Sequence, residues 1–207
     1  NAHKFTIKII KNLPLGSGLG GGSADASALL NFFNKRLKLN LKKRTISSIC
    51  NKIGADVEPC LNTNFKLLYG ASNKIFTFNK KPKLNLLLVY PNCLNPTKKI
   101  YLSNKIFSKS NNYKISLLKK NILNLNYLFK FLNYEGNDLE QSAFKNNSVI
   151  LKLLISLKKL KGCKLARMTG SGSACFAIFQ NNAQLAKAIF VLKKHYKSYW
   201  IKKAKII

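Results

Sequence analysis

The sequence has no hydrophobic run of membrane-spanning length. Its longest apolar stretches, such as Leu86-Leu87-Leu88-Val89-Tyr90, are strand-length, well short of the roughly 18 residues a spanning helix requires. No secretory leader pattern opens the chain. It begins on Asn1 rather than Met, which gives the expectation that its beginning is missing. It also has no CxxC pair. The five cysteines (Cys50, Cys60, Cys93, Cys163 and Cys175) are odd in number and widely scattered. That argues against a zinc cluster or a disulfide framework and for free thiols in a reducing compartment. His3 and His195 have no partners at triad or metal-ligand spacing, and His195, among lysines at a helix end, reads as a surface residue. The expected setting is a reducing cytosol, with no membrane partner.

Acidic residues are almost as scarce. Six Asp and Glu stand against 37 Lys and Arg, a formal net charge of +31. Such a chain attracts phosphates, and a nucleic-acid-binding protein is the first class it suggests. The lysines, however, are spread along the whole length and rise together with Asn and Ile. A coding sequence biased toward A and T produces that drift with no binding role, so no specific nucleic-acid partner is expected. The oligomeric state is left open.

What is present is a globular composition. Hydrophobic residues make up 46% and aromatics 11% of 207 positions, enough for one large core or two small ones. Thr6–Ile10 is a β-branched run that reads as a strand. Ser23 then reads as a helix N-cap with Asp25 in the first turn, followed by Ala24, Ala28, Leu29, Phe32 and Phe33 at helical spacing. Ile46, Ile49, Cys50 and Ile53 mark a second helix, stopped by Gly54. Phe65–Tyr69 and Ile75–Phe78 read as strands around a turn at Gly70–Asn73. The polar stretch Asn79-Lys80-Lys81-Pro82 is the candidate domain boundary, giving residues 1–80 and 81–207. Leu84–Tyr90 reads as a buried strand, the Lys/Asn-rich Asn104–Asn133 as helical, and Val149–Leu160 as a helix with Ile150, Leu153, Leu154 and Leu157 on one face. The tail alternates strand (Leu165–Met168), Gly-Ser-Gly turn, strand (Cys175–Phe179), helix (Ala183–His195) and strand (Tyr199–Ile206). The fold class is α+β.

The motif with the most chemistry is Leu13-Pro-Leu-Gly-Ser-Gly-Leu-Gly-Gly-Gly-Ser-Ala-Asp25, with five glycines within the seven residues 16–22. Between a strand and a helix, such a loop lets bare backbone N–H groups approach a phosphate, and the helix start adds partial positive charge. It is not a Walker loop, because Gly-Lys-Ser/Thr is absent. Gly16, Gly18 and Gly21 match a dinucleotide fingerprint, but the acidic residue expected about 20 positions on is replaced by the basic, apolar Arg36–Arg44. Asp56, just after Gly54, is one of few acids. It reads either as a turn aspartate or as the carboxylate that accepts a hydroxyl proton in phosphoryl transfer.

The loop resembles the phosphate loop of the GHMP kinases. Three further segments narrow the likeness to the diphosphocytidyl-methylerythritol kinases of that superfamily. Ile53-Gly-Ala-Asp56-Val is similar to their Gly-Ala-Asp-Val-Pro segment, Asn137-Asp-Leu-Glu140 to their Asn-Asp-Leu-Glu motif, and Ala166-Arg-Met-Thr-Gly-Ser-Gly-Ser-Ala-Cys175 to their third, glycine-rich motif. The segments stand in the family's order and cover essentially the whole chain. The resemblance implies a two-lobed GHMP kinase fold, with residues 1–80 as the remainder of an ATP-binding lobe and 81–207 as an α/β sandwich lobe. It implies ATP-dependent phosphorylation of diphosphocytidyl methylerythritol in isoprenoid precursor synthesis, in the bacterial cytoplasm or a plastid-like organelle. Leu15, Gly16, Ser17, Gly18, Leu19, Gly20, Gly21, Gly22, Ser23, Ala24 and Asp25 would bind ATP, and Asp56 would be the catalytic base. Ser23 has two readings, helix cap and hydroxyl ligand to Mg²⁺ on ATP. Asp138 and Glu140 would hold structure, and Gly170–Ser173 would set a tight turn beside the loop.

Two departures stand out. Glu58 replaces the family's proline after Asp-Val, with Pro59 one place later. The family's N-terminal segment, with the lysine that partners the catalytic aspartate, has no counterpart, so the chain is expected to be a fragment, inactive by itself. The alternative readings are a basic nucleic-acid-binding protein on this scaffold, or a GHMP kinase acting on homoserine or mevalonate. Gly54–Val57 and Asn137–Glu140 argue against the latter.

Overall fold

The computed structural model describes residues 4–69, 74–105, 107–108 and 112–206; the turn expected at Gly70–Asn73 lies outside them. In chain order the elements are α1 (Gly21–Arg36), α2 (Lys43–Ile53), a 3₁₀ turn (Glu58–Leu61), β1 (Lys66–Tyr69), β2 (Lys74–Thr77), β3 (Asn85–Tyr90), α3 (Thr97–Ser103), α4 (Asn112–Asn121), α5 (Leu125–Glu135), α6 (Glu140–Asn146), α7 (Ser148–Lys159), β4 (Cys163–Met168), β5 (Cys175–Phe179), α8 (Asn182–His195) and β6 (Trp200–Ala204). This is an α+β arrangement. The seven-residue helices α3 and α6 had no legible pattern, being too short to repeat an apolar face.

The main sheet is antiparallel throughout, in the order β4-β5-β3-β6. α7 lies against β4 and β5, and α8 against β3, β5 and β6. Ile150, Leu153, Leu154 and Leu157 of α7 are all buried, as their spacing predicts, with Leu185, Ala188 and Leu192 of α8. Burying each large aliphatic side chain contributes about 1.5–3 kcal/mol relative to exposure. Asn147 and Asn181 start these two helices, each accepting a backbone N–H with its side-chain oxygen. A smaller core joins the β1–β2 hairpin to α4 and α5 through Phe78, Leu118, Ile122 and Leu128. Among the described residues no helix is long and apolar enough to cross a membrane.

Two expectations at the start of the chain are corrected. Thr6–Ile10 forms no strand. A β-branched run becomes a strand only when a neighbour takes up its backbone groups, and among the described residues none pairs with it. Phe5 instead packs edge-on against Phe33 of α1, ring centroids 5.1 Å apart. Ser23 is not an N-cap, and Asp25 is not in the first turn. The N-cap of α1 is Gly20, in the left-handed region at φ 70°, ψ 16°, with no side-chain cap. Glycine reaches that conformation without a Cβ clash, so the cap position falls three residues ahead of Ser23.

α2 ends as expected at Gly54, whose N–H donates to the Cys50 carbonyl at 2.9 Å. The following 3₁₀ turn is held to α1 by two side chains. Ser27 Oγ donates to the Cys60 carbonyl at 3.0 Å, and Asn31 Nδ2 to the Leu61 carbonyl at 2.9 Å. That attachment carries residues 55–57 to the start of α1.

Candidate active site

The glycine loop docks on the turn that joins β4 to β5. The Ala174 N–H donates to the Ser17 carbonyl at 2.9 Å, and Ser17 Oγ, itself buried, donates to the Pro14 carbonyl at 2.7 Å. Gly18, at φ +75°, faces the Thr169 and Gly172 backbone with no room for a side chain. Gly20 and Gly22 differ: a Cβ on either would meet nothing within 4 Å. Part of the loop is therefore glycine for packing, and part presents bare backbone to open space.

The β4–β5 turn is itself braced from two sides. Asn137 Nδ2 donates to the carbonyls of Met168 (3.1 Å) and Gly170 (2.9 Å), and Glu140 Oε1 accepts the Met168 N–H at 2.9 Å. On the other side Asn95 Nδ2 donates to the Ser171 carbonyl at 2.5 Å, and Asn146 Nδ2 donates to Asn95 Oδ1 at 2.8 Å. Thr97 Oγ1 and Ser171 Oγ are hydrogen-bonded at 2.8 Å. Asp138 accepts from the Ser108 N–H and hydroxyl at 2.7 and 2.6 Å. The acids of the Asn-Asp-Leu-Glu motif thus hold backbone, and Asn137 grips the turn directly.

A cleft of about 290 Å³ opens between these parts. Residues 15–23 of the expected site line it, together with Asp56, Gly170 and Ser171. Ala24 and Asp25 do not: Asp25 sits past the first turn of α1 in an exposed ion pair with Lys11. Lys11, Leu13, Pro14, Thr97 and Tyr101 line the cleft without having been anticipated. Leu13 and Pro14 adjoin the loop and were readable from it. Thr97 and Tyr101 lie on a helix far along the chain, and only tertiary packing brings them here.

Chemically the cleft is anion-accepting. The start of α1 points N–H groups at it with no side chain to satisfy them. Asp56 is the one carboxylate lining it among the described residues; Asp25 is outside the lining and pairs with Lys11, which belongs to it. The Asp56 charge is felt nearby: the Cys60 thiol is pushed above its ordinary value, first by burial and then by that carboxylate, with Lys66 opposing. No group of three or more His, Cys, Asp or Glu able to hold a metal ion occurs among the described residues. Such a site suits polyphosphate better than a bare metal. A Mg²⁺ arriving with phosphates needs few protein ligands, and the Ser23 hydroxyl and Asp56 carboxylate are the side chains on hand.

Comparison with known proteins points the same way. Residues 1–63 match the GHMP kinases N terminal domain, and residues 116–198 match GHMP kinases C terminal. A 4-diphosphocytidyl-2-C-methyl-D-erythritol kinase from Pelagibacter ubique is 33% identical over 207 residues, covering 100% of this chain and 71% of the relative. One from Caldanaerobacter subterraneus is 35% identical, over 92% of this chain and 65% of the relative. The chain thus spans about two thirds of the length of such relatives. A crystal structure of 4-(cytidine 5'-diphospho)-2C-methyl-D-erythritol kinase shares the fold with TM-score 0.70 at 21% identity, over 93% of this chain and 68% of the other.

Proposed function

The chain belongs to the GHMP kinases, on the branch of the 4-diphosphocytidyl-2-C-methyl-D-erythritol kinases, and from that premise we propose that it transfers the γ-phosphoryl group of ATP to the 2-hydroxyl of 4-diphosphocytidyl-2-C-methyl-D-erythritol, a step of non-mevalonate isoprenoid precursor synthesis. One observation carries the reading: the glycine loop, the uncapped start of α1 and Asp56 face one cleft.

In this reading residues 18–23 hold the triphosphate with backbone N–H groups. The acceptor hydroxyl oxygen bonds to the γ-phosphorus as the bond to the ADP oxygen breaks, and the hydroxyl proton passes to the Asp56 carboxylate. Mg²⁺, bound through the phosphates and near Ser23, would neutralise charge on the transferring group. Tyr101, with 51% of its surface exposed at the cleft, offers a flat face on which a nucleobase can stack. Asn137, Asn95 and Thr97 position the β4–β5 turn against the loop. Residues 1–80 and 81–207 are proposed as two lobes in chain order, with the β1–β2 hairpin reaching across the division onto α4 and α5. The proposed compartment is the cytoplasm, where free thiols stay reduced.

The test is ADP release by the full gene product with the diphosphocytidyl substrate, set against homoserine and mevalonate as acceptors. Turnover confined to the diphosphocytidyl substrate is expected. Preference for either competitor overturns the assignment.

A further inference from the structure

The β4–β5 hairpin has a second concave end. Its turn, at residues 169–174, packs on the glycine loop. At the opposite end of the same two strands, beside Lys164 and Phe179, a cavity of about 600 Å³ lies between α5 and the sheet. β5 spans Cys175–Phe179, so at a rise of about 3.3 Å per residue the two ends stand roughly 13 Å apart along the strand. None of the residues lining this cavity lines the kinase cleft.

Its walls combine an apolar face and three lysines with the carboxamides of Asn85, Asn126, Asn133 and Gln180. Leu125 and Phe129, one helical turn apart on α5, form an apolar face with Leu84, over the buried ring of Phe179. Leu125 keeps 39% of its surface open there. Three lysines line the cavity from three different segments: Lys83 before β3, Lys130 on α5 and Lys164 on β4. None of the three has an acidic partner among the described residues, and none of the chain's six carboxylates lines the cavity. The volume falls within the roughly 300–1,000 Å³ of small-molecule sites, which pair apolar walls with a few convergent polar groups. An inorganic anion would leave the apolar wall unfilled. An uncharged apolar molecule would leave the three lysines without a counter-charge.

We propose that this cavity is a second ligand site, for an organic phosphate whose body is aromatic or aliphatic. Its phosphate lies among Lys83, Lys130 and Lys164, and its body lies on Phe129, Leu125 and Leu84. The site is independent of the kinase assignment, since it shares no residue with that cleft.

The probe is 1-naphthyl phosphate, titrated calorimetrically into the protein at physiological salt beside inorganic phosphate and 1-naphthol. The naphthyl ester should bind at least about tenfold more tightly than either, a difference of about 1.4 kcal/mol. A protein of charge +31 attracts any anion, so two triple variants of equal charge change are compared. Replacing Lys83, Lys130 and Lys164 by Gln should weaken binding roughly tenfold or more, and replacing the exposed Lys193, Lys194 and Lys202 by Gln should change it less than about twofold. Amide chemical shifts on the unmodified chain, which need no variant to fold, should move at residues 125–133. Equal weakening in both triples, inorganic phosphate matching the ester, or shifts confined to residues 15–23 would each overturn the proposal.

Discussion

Gly18 and Thr169 meet backbone to backbone, so closely that a Cβ on Gly18 would stand 2.5 Å from the Thr169 carbonyl oxygen. Two motifs read separately in the sequence are thus one structural unit. The phosphate loop takes its shape from the turn between β4 and β5, and that turn is held by Asn137 and Asn95.

The first prediction separates the glycines by what surrounds them. Gly18→Ala must push two backbone segments apart at a left-handed residue, so it should lower the unfolding free energy by about 2 kcal/mol or more. Gly20→Ala, in open space at φ +70°, carries only the conformational cost of about 1 kcal/mol. Urea titrations of the two variants compare them directly. Gly20→Val adds a branched side chain where phosphate should approach, and calorimetry should show ATP affinity falling more than stability does. Unchanged affinity would reduce the loop to a linker.

Asp56 is the one lining carboxylate turned to the cleft. In the full gene product Asp56→Asn should lower turnover by about 10²-fold or more while nucleotide affinity stays near normal. Near-normal turnover removes Asp56 from the mechanism.

Asn137→Ala deletes two hydrogen bonds to the β4–β5 turn, at Met168 and Gly170. Each is worth about 1 kcal/mol net, so stability should fall by roughly 1–2 kcal/mol. Nucleotide affinity should also fall, because the loop packs on that turn. Asn137→Asp keeps the acceptor for the Leu139 N–H but turns the donor into a second acceptor oxygen facing two carbonyls, so it should not rescue either loss. A stability loss without any change in nucleotide affinity would uncouple the turn from the loop.

How much of this was legible follows from where each signal lives. The long helices and the main-sheet strands carry their apolar period locally, and Leu165–Met168, Cys175–Phe179 and Ala183–His195 were placed within a few residues. Thr6–Ile10 failed because strand formation depends on a partner that composition does not reveal. The start of α1 failed because the sequence does not say which of several glycines adopts the left-handed φ. Residues 15–23 and Asp56, which line one cleft, stood out in the sequence because glycine density and acid scarcity are local facts, while the role expected of Asp56 came from the family resemblance. Tyr101 and Thr97 carried no such mark: α3 is short, begins after Pro96 and is tied to the cleft wall by the hydrogen bond of Thr97 with Ser171.

Tyr101→Ala tests the stacking surface. Base–aromatic stacking is worth about 1–3 kcal/mol, so KM for the diphosphocytidyl acceptor should rise roughly tenfold while KM for ATP and the pH profile stay unchanged. A rise in the ATP KM instead would put the donor's base on Tyr101.

The last prediction uses Cys60 as a reporter of where the Asp56 charge sits. The Cys60 thiol is raised by burial first and by the Asp56 carboxylate second, with Lys66 pulling the other way. Asp56→Asn removes one of the two raising causes and keeps the other. A thiolate is negative, so losing a neighbouring negative charge favours it, and the Cys60 pKa should fall while staying above its ordinary value. Alkylation follows the thiolate fraction, so the rate of Cys60 labelling by iodoacetamide at about pH 8 should increase and its pH profile move to lower pH. Lys66→Gln should do the opposite, slowing labelling and moving the profile up. Cys50 and Cys175 are fully buried, and peptide mass analysis separates Cys60 from the remaining thiols. The comparison reads charge placement without any substrate, so it holds whichever acceptor the kinase uses. An unchanged profile in Asp56→Asn would mean that the Asp56 charge does not reach the Cys60 sulfur, and would remove the carboxylate from the causes of the raised thiol pKa.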